Sequence, residues 1–313
     1  MLKVANVAIF FAIIAGFAFA RGQAVPPGAN VPAVTAGLAP TSPAEWPQVI
    51  LNVLVDVKKG ATVTATVSPL EIVVEDGAPQ KIESIAGPGT PVSLCLLIDV
   101  SGSMKTKQSE VRDAAAALVK SLPQGSEVMV STFAEKLSLV LPFTPATEVD
   151  LSIFGRLQHG VRTALNDAMV ITEPYFVHLA RFPRRALVLI TDGGDNASRH
   201  GASDAIRSME MPSSPFAYVL EIVDPEAPTP EERMSAADSF SSAGAFIVKF
   251  SVAKDLPKGA TEISQCIDRQ YALSYRSALA APDKRLHKIE VRLSEPDPRI
   301  KIESLPGYYI PSH

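Results

Sequence analysis

Val92-Ser93-Leu94-Cys95-Leu96-Leu97-Ile98-Asp99-Val100-Ser101-Gly102-Ser103-Met104 is the stretch from which the rest of the chain is read. Val92 to Ile98 is an apolar run of the kind a strand shows when both of its faces are buried in a parallel sheet. The run breaks off at a carboxylate followed by two hydroxyls around a glycine. A second stretch has the same form: Ala186 to Ile190 is apolar and finishes in Thr191-Asp192-Gly193-Gly194-Asp195-Asn196. Two buried strands, each ending in an acidic, hydroxyl- or glycine-rich loop, point to a sheet with chemistry at one rim.

The residues around these strands supply the other layers. Val111, Ala115, Leu118 and Leu122 fall at i, i+4, i+7 and i+11, the apolar stripe of a helix. Val128 to Phe133 and Leu137 to Leu141 read as strands. Gly160-Val161-Arg162-Thr163-Ala164-Leu165-Asn166-Asp167 opens a helix that reads to about Thr172, where Pro174 should kink or end it. A helix near Ser203 to Met209, strands at Phe216 to Ile222 and Ala245 to Phe250, and a last helix near Thr261 to Arg269 complete the pattern. This alternation predicts an α/β domain over residues 92–270, with a doubly wound, mostly parallel sheet. Sheets of that kind bind ligands beyond the carboxyl ends of their strands.

The flanks have a different character. Val49-Ile50-Leu51, Val53, Val55 and Val57 alternate up to Lys58-Lys59-Gly60; Ile72-Val73-Val74 runs into Asp76-Gly77, a hairpin signal, and Lys81 to Ile85 follows as a strand. After the central block, Tyr271, Leu273 and Tyr275 alternate, then Ile289, Val291 and Leu293, then Ile300 and Ile302, ahead of Pro306-Gly307-Tyr308-Tyr309. Neither flank is long enough to bury a core alone. Residues 47–86 and 271–310 are therefore expected to pair into one small β-sandwich module, with the central domain inserted between them.

Met1-Leu2-Lys3 gives a positive start and Val4 to Ala20 is an apolar run. Ala18-Phe19-Ala20 and Gly22-Gln23-Ala24 offer small residues at the spacing of a cleavage site. The run is shorter than the ~20 residues a membrane span needs. Residues 1–24 thus read as a cleaved signal peptide, with an uncleaved anchor as the alternative, and 25–46, rich in Pro, Ala and Gly, as a linker. Either way the expected location is extracytoplasmic: periplasmic, secreted or on the cell surface. A membrane contact is expected only through that N-terminal segment.

Across 313 residues, 47% hydrophobic and 20% charged content reads as globular, and a net charge of −4 lacks the clustered basic face that nucleic-acid binding needs. Lys58-Lys59 and Arg181, Arg184 and Arg185 are the densest basic spots and read as a solvated turn and a solvated helix end. Cys95 reads as a small core hydrophobe, and a bridge to Cys266 is left open. The five histidines have no ligand spacing, although His159 and His200 fall near the rim loops. Asn196-Ala197-Ser198 matches a glycosylation sequon, expected to be unmodified.

Asp99, Ser101, Ser103 and Asp192, with Thr163 between them in sequence, place two carboxylates and three hydroxyls on loops at one rim. Hard oxygen donors without His or Cys suit Mg²⁺, Mn²⁺ or Ca²⁺ and disfavour zinc. Ser101 and Ser103, two apart, can aim their oxygens the same way, and Gly102 lets the backbone turn closely around an ion. Asp195 either tunes the site from beside Asp192 or caps the following helix. A cation balanced by only two charges, with one position open, should attract one more carboxylate.

This spaced set resembles the metal-ion-dependent adhesion site (MIDAS) of von Willebrand factor type A domains. The resemblance covers about 180 residues. It implies that Ser101, Ser103 and Thr163 are direct ligands and that Asp99 and Asp192 bind directly or through water. Arg162 stands before Thr163 where relatives often have glycine. The run Val53 to Ile82, with its Glu75 to Ile82 stretch, Tyr271 to Tyr275 and Gly307-Tyr308-Tyr309 resemble the flanking strands of exported proteins of this family abundant in Acidobacteria.

The expected function is cation-dependent protein binding or adhesion through a partner's Asp or Glu, abolished by EDTA or Asp99→Ala with the fold kept. The rivals are a metal-independent scaffold protein and a Mg²⁺-dependent hydrolase. The chain has no Gly-x-Ser-x-Gly elbow, phosphate loop or dinucleotide fingerprint, so no enzyme activity and no catalytic residue are expected.

Overall fold

The computed structural model describes residues 48–57, 70–223, 235–279, 285–293 and 297–310. The signal peptide and linker expected over 1–46 and the Lys58-Lys59-Gly60 turn lie outside them. Four strands come first: β1 (Gln48–Val57), β2 (Leu70–Glu75), β3 (Ala78–Gln80) and β4 (Ile82–Ala86). The central block then runs β5 (Val92–Asp99), α1 (Gln108–Ser121), β6 (Glu127–Phe133), β7 (Leu137–Pro145), α2 (Leu165–Leu179), β8 (Arg184–Thr191), α3 (Ala202–Met209), β9 (Phe216–Ile222), β10 (Phe246–Phe250) and α4 (Leu256–Asp268). β11 (Gln270–Arg276), β12 (Leu286–Leu293), β13 (Ile300–Ser304) and β14 (Gly307–Tyr309) close the chain.

The central sheet has the order β10-β9-β8-β5-β6-β7. Every neighbouring pair is parallel except β6 and β7, an antiparallel hairpin that ends one edge. The chain leaves β5 toward β6 and β7 and returns on the other side at β8. The order therefore reverses between β5 and β8, where the loops beyond the strand ends part and leave a crevice.

Alternate residues of β5 show why the strand is apolar throughout. Leu94, Leu96 and Ile98 pack with Val111, Ala115 and Leu118 of α1 and with Ala260, Ile263 and Ile267 of α4. Cys95 and Leu97 pack on the opposite face with Leu165, Met169 and Phe176 of α2 and Met209 of α3. Cys266 belongs to the α4 side, so the two cysteines lie in separate cores, and both are free and buried.

The flanking strands form two antiparallel sheets, ordered β13-β1-β11-β4 and β14-β12-β2-β3, each containing strands from both ends of the chain. Val49, Leu51, Val53, Leu273 and Tyr275 of the first share a core with Val73, Ile289, Val291 and Tyr308 of the second. At its centre Glu75 accepts hydrogen bonds from the hydroxyls of Tyr275 (3.2 Å), Ser277 (2.6 Å) and Tyr308. A buried carboxylate from the first flank is thus satisfied wholly by donors from the second.

Several expectations are corrected. The Lys81 to Ile85 strand is β4, which lies beside β11, but a separate short strand that the sequence did not announce, β3, precedes it and pairs with β2 in the other sheet. The last helix starts at Leu256, earlier than Thr261, with Pro257 in its first turn, where a missing N–H costs nothing. α2 continues through Pro174 to Leu179. Pro174 lies on its exposed face while Leu165, Ala168, Met169, Thr172 and Phe176 bind the helix to the sheet, so the hydrogen bond that proline removes is lost on the solvent side.

Arg184 and Arg185 are not a solvated helix end. They begin β8, and Arg184 is 0% exposed. Its guanidinium donates to the carbonyls of Gln270 (3.0 Å), Thr90 and Ile267. The Arg185 N–H and the Gln270 amide both donate to Asn52 Oδ1 at 2.9 Å, and Gln270 also donates to the Arg185 carbonyl at 2.8 Å. This buried network joins the central sheet to β1 and β11 at the amino end of β8, opposite the rim that carries Asp99.

Glu173 on α2 is 1% exposed and neither carboxyl oxygen has a partner among the described residues. Burial pushes its carboxyl well above the usual range. In the unfolded chain it ionises near 4.5. A raised native value means that this stabilising difference is whole below that pH and is lost as pH rises toward the native value. Glu173→Gln is therefore expected to gain steadily on the wild type as pH rises from 4 to 8. Urea midpoints across that range check this; parallel pH profiles would contradict it.

Candidate functional site

Asp99 and Thr191 end neighbouring parallel strands, β5 and β8, one residue past the paired Ile98 and Ile190. The Thr191 hydroxyl donates to Asp99 Oδ2 at 2.7 Å and the Ser101 N–H donates to Oδ1 at 2.8 Å. Both oxygens are therefore fixed at the crevice, with Asp99 only 1% exposed. Burial pushes the Asp99 carboxyl up to about 6; the hydrogen bonds from Ser101 and Thr191 oppose this, and the charge of Asp192 adds to it.

Past Asp99 the chain turns into a 3₁₀ segment, Gly102–Lys107, pinned by the buried Met104. The Ser101 and Ser103 hydroxyls lie 3.2 Å apart and bond to one another. Gly102 donates its N–H to the Val161 carbonyl at 3.4 Å, and a Cβ there would sit 3.2 Å from that oxygen. Only glycine lets the two loops approach without a shift.

Thr163 is 4% exposed, on the loop between the other two. Its N–H donates to Asn196 Oδ1 at 3.0 Å, and its carbonyl accepts from the N–H groups of Asn196 and Ala197 at 2.9 Å. On the other side, Gly160 donates to the Val100 carbonyl at 2.8 Å, and Glu135 Oε1 accepts from Val161 and Arg162 at 2.9 Å. Hydrogen bonds from those two N–H groups hold the Glu135 carboxyl below its usual range. The Thr163 hydroxyl has no hydrogen-bond partner among the described residues.

Asp192 follows β8, and its Oδ2 accepts from the Lys107 ammonium at 2.9 Å. Gly193 has φ +82°, and a Cβ there would come within 2.4 Å of Glu221 Oε1 and 2.3 Å of Ser235 Oγ. The loop thus turns tightly enough to keep Asp192 at the rim. Asp195 caps a helix, but not the one that follows it: its Oδ2 accepts from the Asn166 N–H at 2.9 Å, in the first turn of α2. The Thr163 loop is thereby tied to the Asp192 loop a second time.

The loops carrying the five sequence-chosen residues meet at this rim. Asp99, Ser101 and Ser103 stand on one, Thr163 on a second and Asp192 on a third, and backbone hydrogen bonds join the second to both others. Sequence reading missed Lys107, Thr191, Glu135 and Asn196. Asn196 carries only the sequon signal, and its side-chain oxygen is engaged by Thr163. His200 lies against Asp167, with Nδ1 2.8 Å from the carboxylate.

Residues 94–194 match the family model of the von Willebrand factor type A domain. That stretch is a von Willebrand factor type A domain. No curated protein matches the chain. Among solved structures, a von Willebrand factor type A protein from Catenulispora acidiphila is 14% identical, covering 84% of this chain and 75% of that one, with a TM-score of 0.45. BatB from Bacteroides thetaiotaomicron is 18% identical over 56% of this chain and 98% of its own, TM-score 0.42. Proximal thread matrix protein 1 from the mussel byssus, with a zinc-occupied MIDAS motif, is 12% identical over 63% of this chain and half of its own length, TM-score 0.46.

Proposed function

We propose that Asp99, Ser101, Ser103, Thr163 and Asp192 hold a divalent cation, Mg²⁺ with Mn²⁺ or Ca²⁺ as alternatives. Through it the protein binds an Asp or Glu side chain of a protein partner outside the cytoplasm. The observation that carries the reading is the buried Asp99 carboxylate beside the Ser101 and Ser103 hydroxyls, themselves 3.2 Å apart, in the crevice between β5 and β8. The Thr163 hydroxyl, which has no hydrogen-bond partner among the described residues, supports it, as does a donor set made entirely of oxygen. When bound, the cation supplies a Lewis-acidic position that a carboxylate can fill.

The chain's own residues account for selectivity. Thr191 and the Ser101 N–H hold Asp99 still, so the hydroxyls need not reorganise to receive an ion. Three of the five donors are neutral, so the protein sets no more than two negative charges against the ion, and an acid can take an open coordination position. Asp192 is paired with Lys107. The same proposal has residues 1–24 removed on export, 25–46 as a tether, and 47–86 with 271–310 as a β module carrying the domain at 92–270.

Water-proton relaxation with Mn²⁺ tests this. Manganese added to the wild-type protein is expected to give enhanced relaxivity from water at the open position. Excess glutarate, a dicarboxylate probe, should then displace that water and lower the enhancement. Relaxivity that rises with Mn²⁺ but is indifferent to glutarate would sink the carboxylate-receptor reading.

A further inference from the structure

Lys107 is the residue at the rim that the reading above leaves without a role. It ends the 3₁₀ segment that begins at Gly102, and its ammonium spans 85 positions of sequence to reach Asp192 Oδ2 at 2.9 Å. The pair is shielded, with the two side chains 22% and 14% exposed. The same ammonium lies 3.9 Å from the sulfur of Met104, which is 1% exposed and fixes the base of the turn. This lysine is therefore placed by the loop that carries Ser101 and Ser103, and it ends on a carboxylate of the proposed cation site.

We propose that Lys107 is a built-in counter-cation, one that competes with the divalent ion for Asp192 and, once the ion is in place, adds its charge to the attraction for a partner's carboxylate. The inference rests on the cation-site reading and extends it. In the metal-free protein, Asp99 and Asp192 against one ammonium leave a single net negative charge. With a divalent ion held by the same two carboxylates, the ammonium turns the balance to a single net positive charge. One carboxylate from a partner neutralises it. Without Lys107 the loaded site is neutral, and the acid must be held by coordination alone.

The consequence is a pair of opposite effects. Like charges sharing one carboxylate repel, and in partly shielded surroundings one unit charge near a divalent ion changes its affinity about tenfold. Removing the ammonium therefore tightens the ion and weakens the acid. A lysine that merely braced the loop would, on removal, weaken both. Salt should narrow both differences, since exposed charges are screened within ~8–10 Å at ordinary ionic strength.

The experiment compares wild type, Lys107→Met, Lys107→Arg and Lys105→Met. Lys105 is an exposed lysine on the same segment, so its loss controls for net charge. Free Mn²⁺ is followed by its paramagnetic resonance signal to give ion affinity, and acetate is then titrated into the Mn²⁺-loaded protein by water relaxation. For Lys107→Met the expected result is about tenfold tighter Mn²⁺ with acetate half-saturation several-fold higher; Lys107→Arg and Lys105→Met should stay near wild type. Either constant left unchanged by Lys107→Met, or both weakened, overturns the proposal while the cation site stands. Absence of Mn²⁺ binding in all four proteins removes the site and this inference with it.

Discussion

Arg184→Leu is expected to destabilise the protein by about 3–5 kcal/mol. The side chain is fully buried and its guanidinium serves three carbonyls, at Thr90, Ile267 and Gln270. These belong to the connection into β5, the end of α4 and the start of β11, so one planar group fastens the domain to its β module. Leucine fills much of the volume but takes from all three carbonyls the guanidinium donor each now has. Burial already lowers the affinity of this guanidinium for its proton, a sign that the charge is tolerated only because the carbonyls surround it. Arg184→Lys keeps the charge but loses the planar fork, and is expected to recover less than half of the loss. Urea unfolding measures both. A cost below ~1 kcal/mol for Arg184→Leu would mean that the network does not hold the two parts together.

The second large effect concerns the rim. Asp99→Asn keeps an oxygen for the Ser101 N–H or the Thr191 hydroxyl, so the fold is expected to survive, but it removes the buried charge. Even the outer hydrogen-bond partners of a metal ligand are worth ~10–100-fold in affinity, so loss of this carboxylate should cost more than ~100-fold in cation binding. Chelation with EDTA should do the same to the wild type without unfolding it. An Asp99→Asn protein that held Mg²⁺ as well as wild type would place the ion elsewhere.

The parts of the fold legible in the sequence were those governed by local periodicity. Val92 to Ile98 and Ala186 to Ile190 are buried on both faces, so apolar runs announced them, and the stripe from Val111 to Leu122 announced α1. The position of the crevice followed, because Asp99 and Asp192 come directly after such runs. Arg184 and Arg185 were misread because a charged pair ahead of a strand looks solvated. Their burial depends on carbonyls supplied from positions 83 to 94 residues away for Arg184 and on Asn52 for Arg185, which no local pattern encodes. Pro174 misled in the other direction: a local helix breaker was outweighed by the packing of Met169 and Phe176 on the sheet.

At the site, Ser101 and Ser103 were legible because their spacing alone puts two hydroxyls on one side of a turn. The grip of Thr191 on Asp99, of Asn196 on Thr163 and of Lys107 on Asp192 was not. Each joins segments at least 33 residues apart. Asp195 shows the difference within one residue: the sequence identified it as a helix cap, but only the arrangement of loops shows that the helix is α2.

A calorimetric titration of Mg²⁺ into the protein and into an Asp99→Asn, Ser101→Ala double variant tests the central claim most directly. The account predicts saturable binding of about one ion by the wild type and none by the variant, with both proteins unfolding cooperatively. Equal heats from the two, or none from either in the presence of a saturating carboxylate probe, would contradict a cation site built from Asp99, Ser101, Ser103, Thr163 and Asp192.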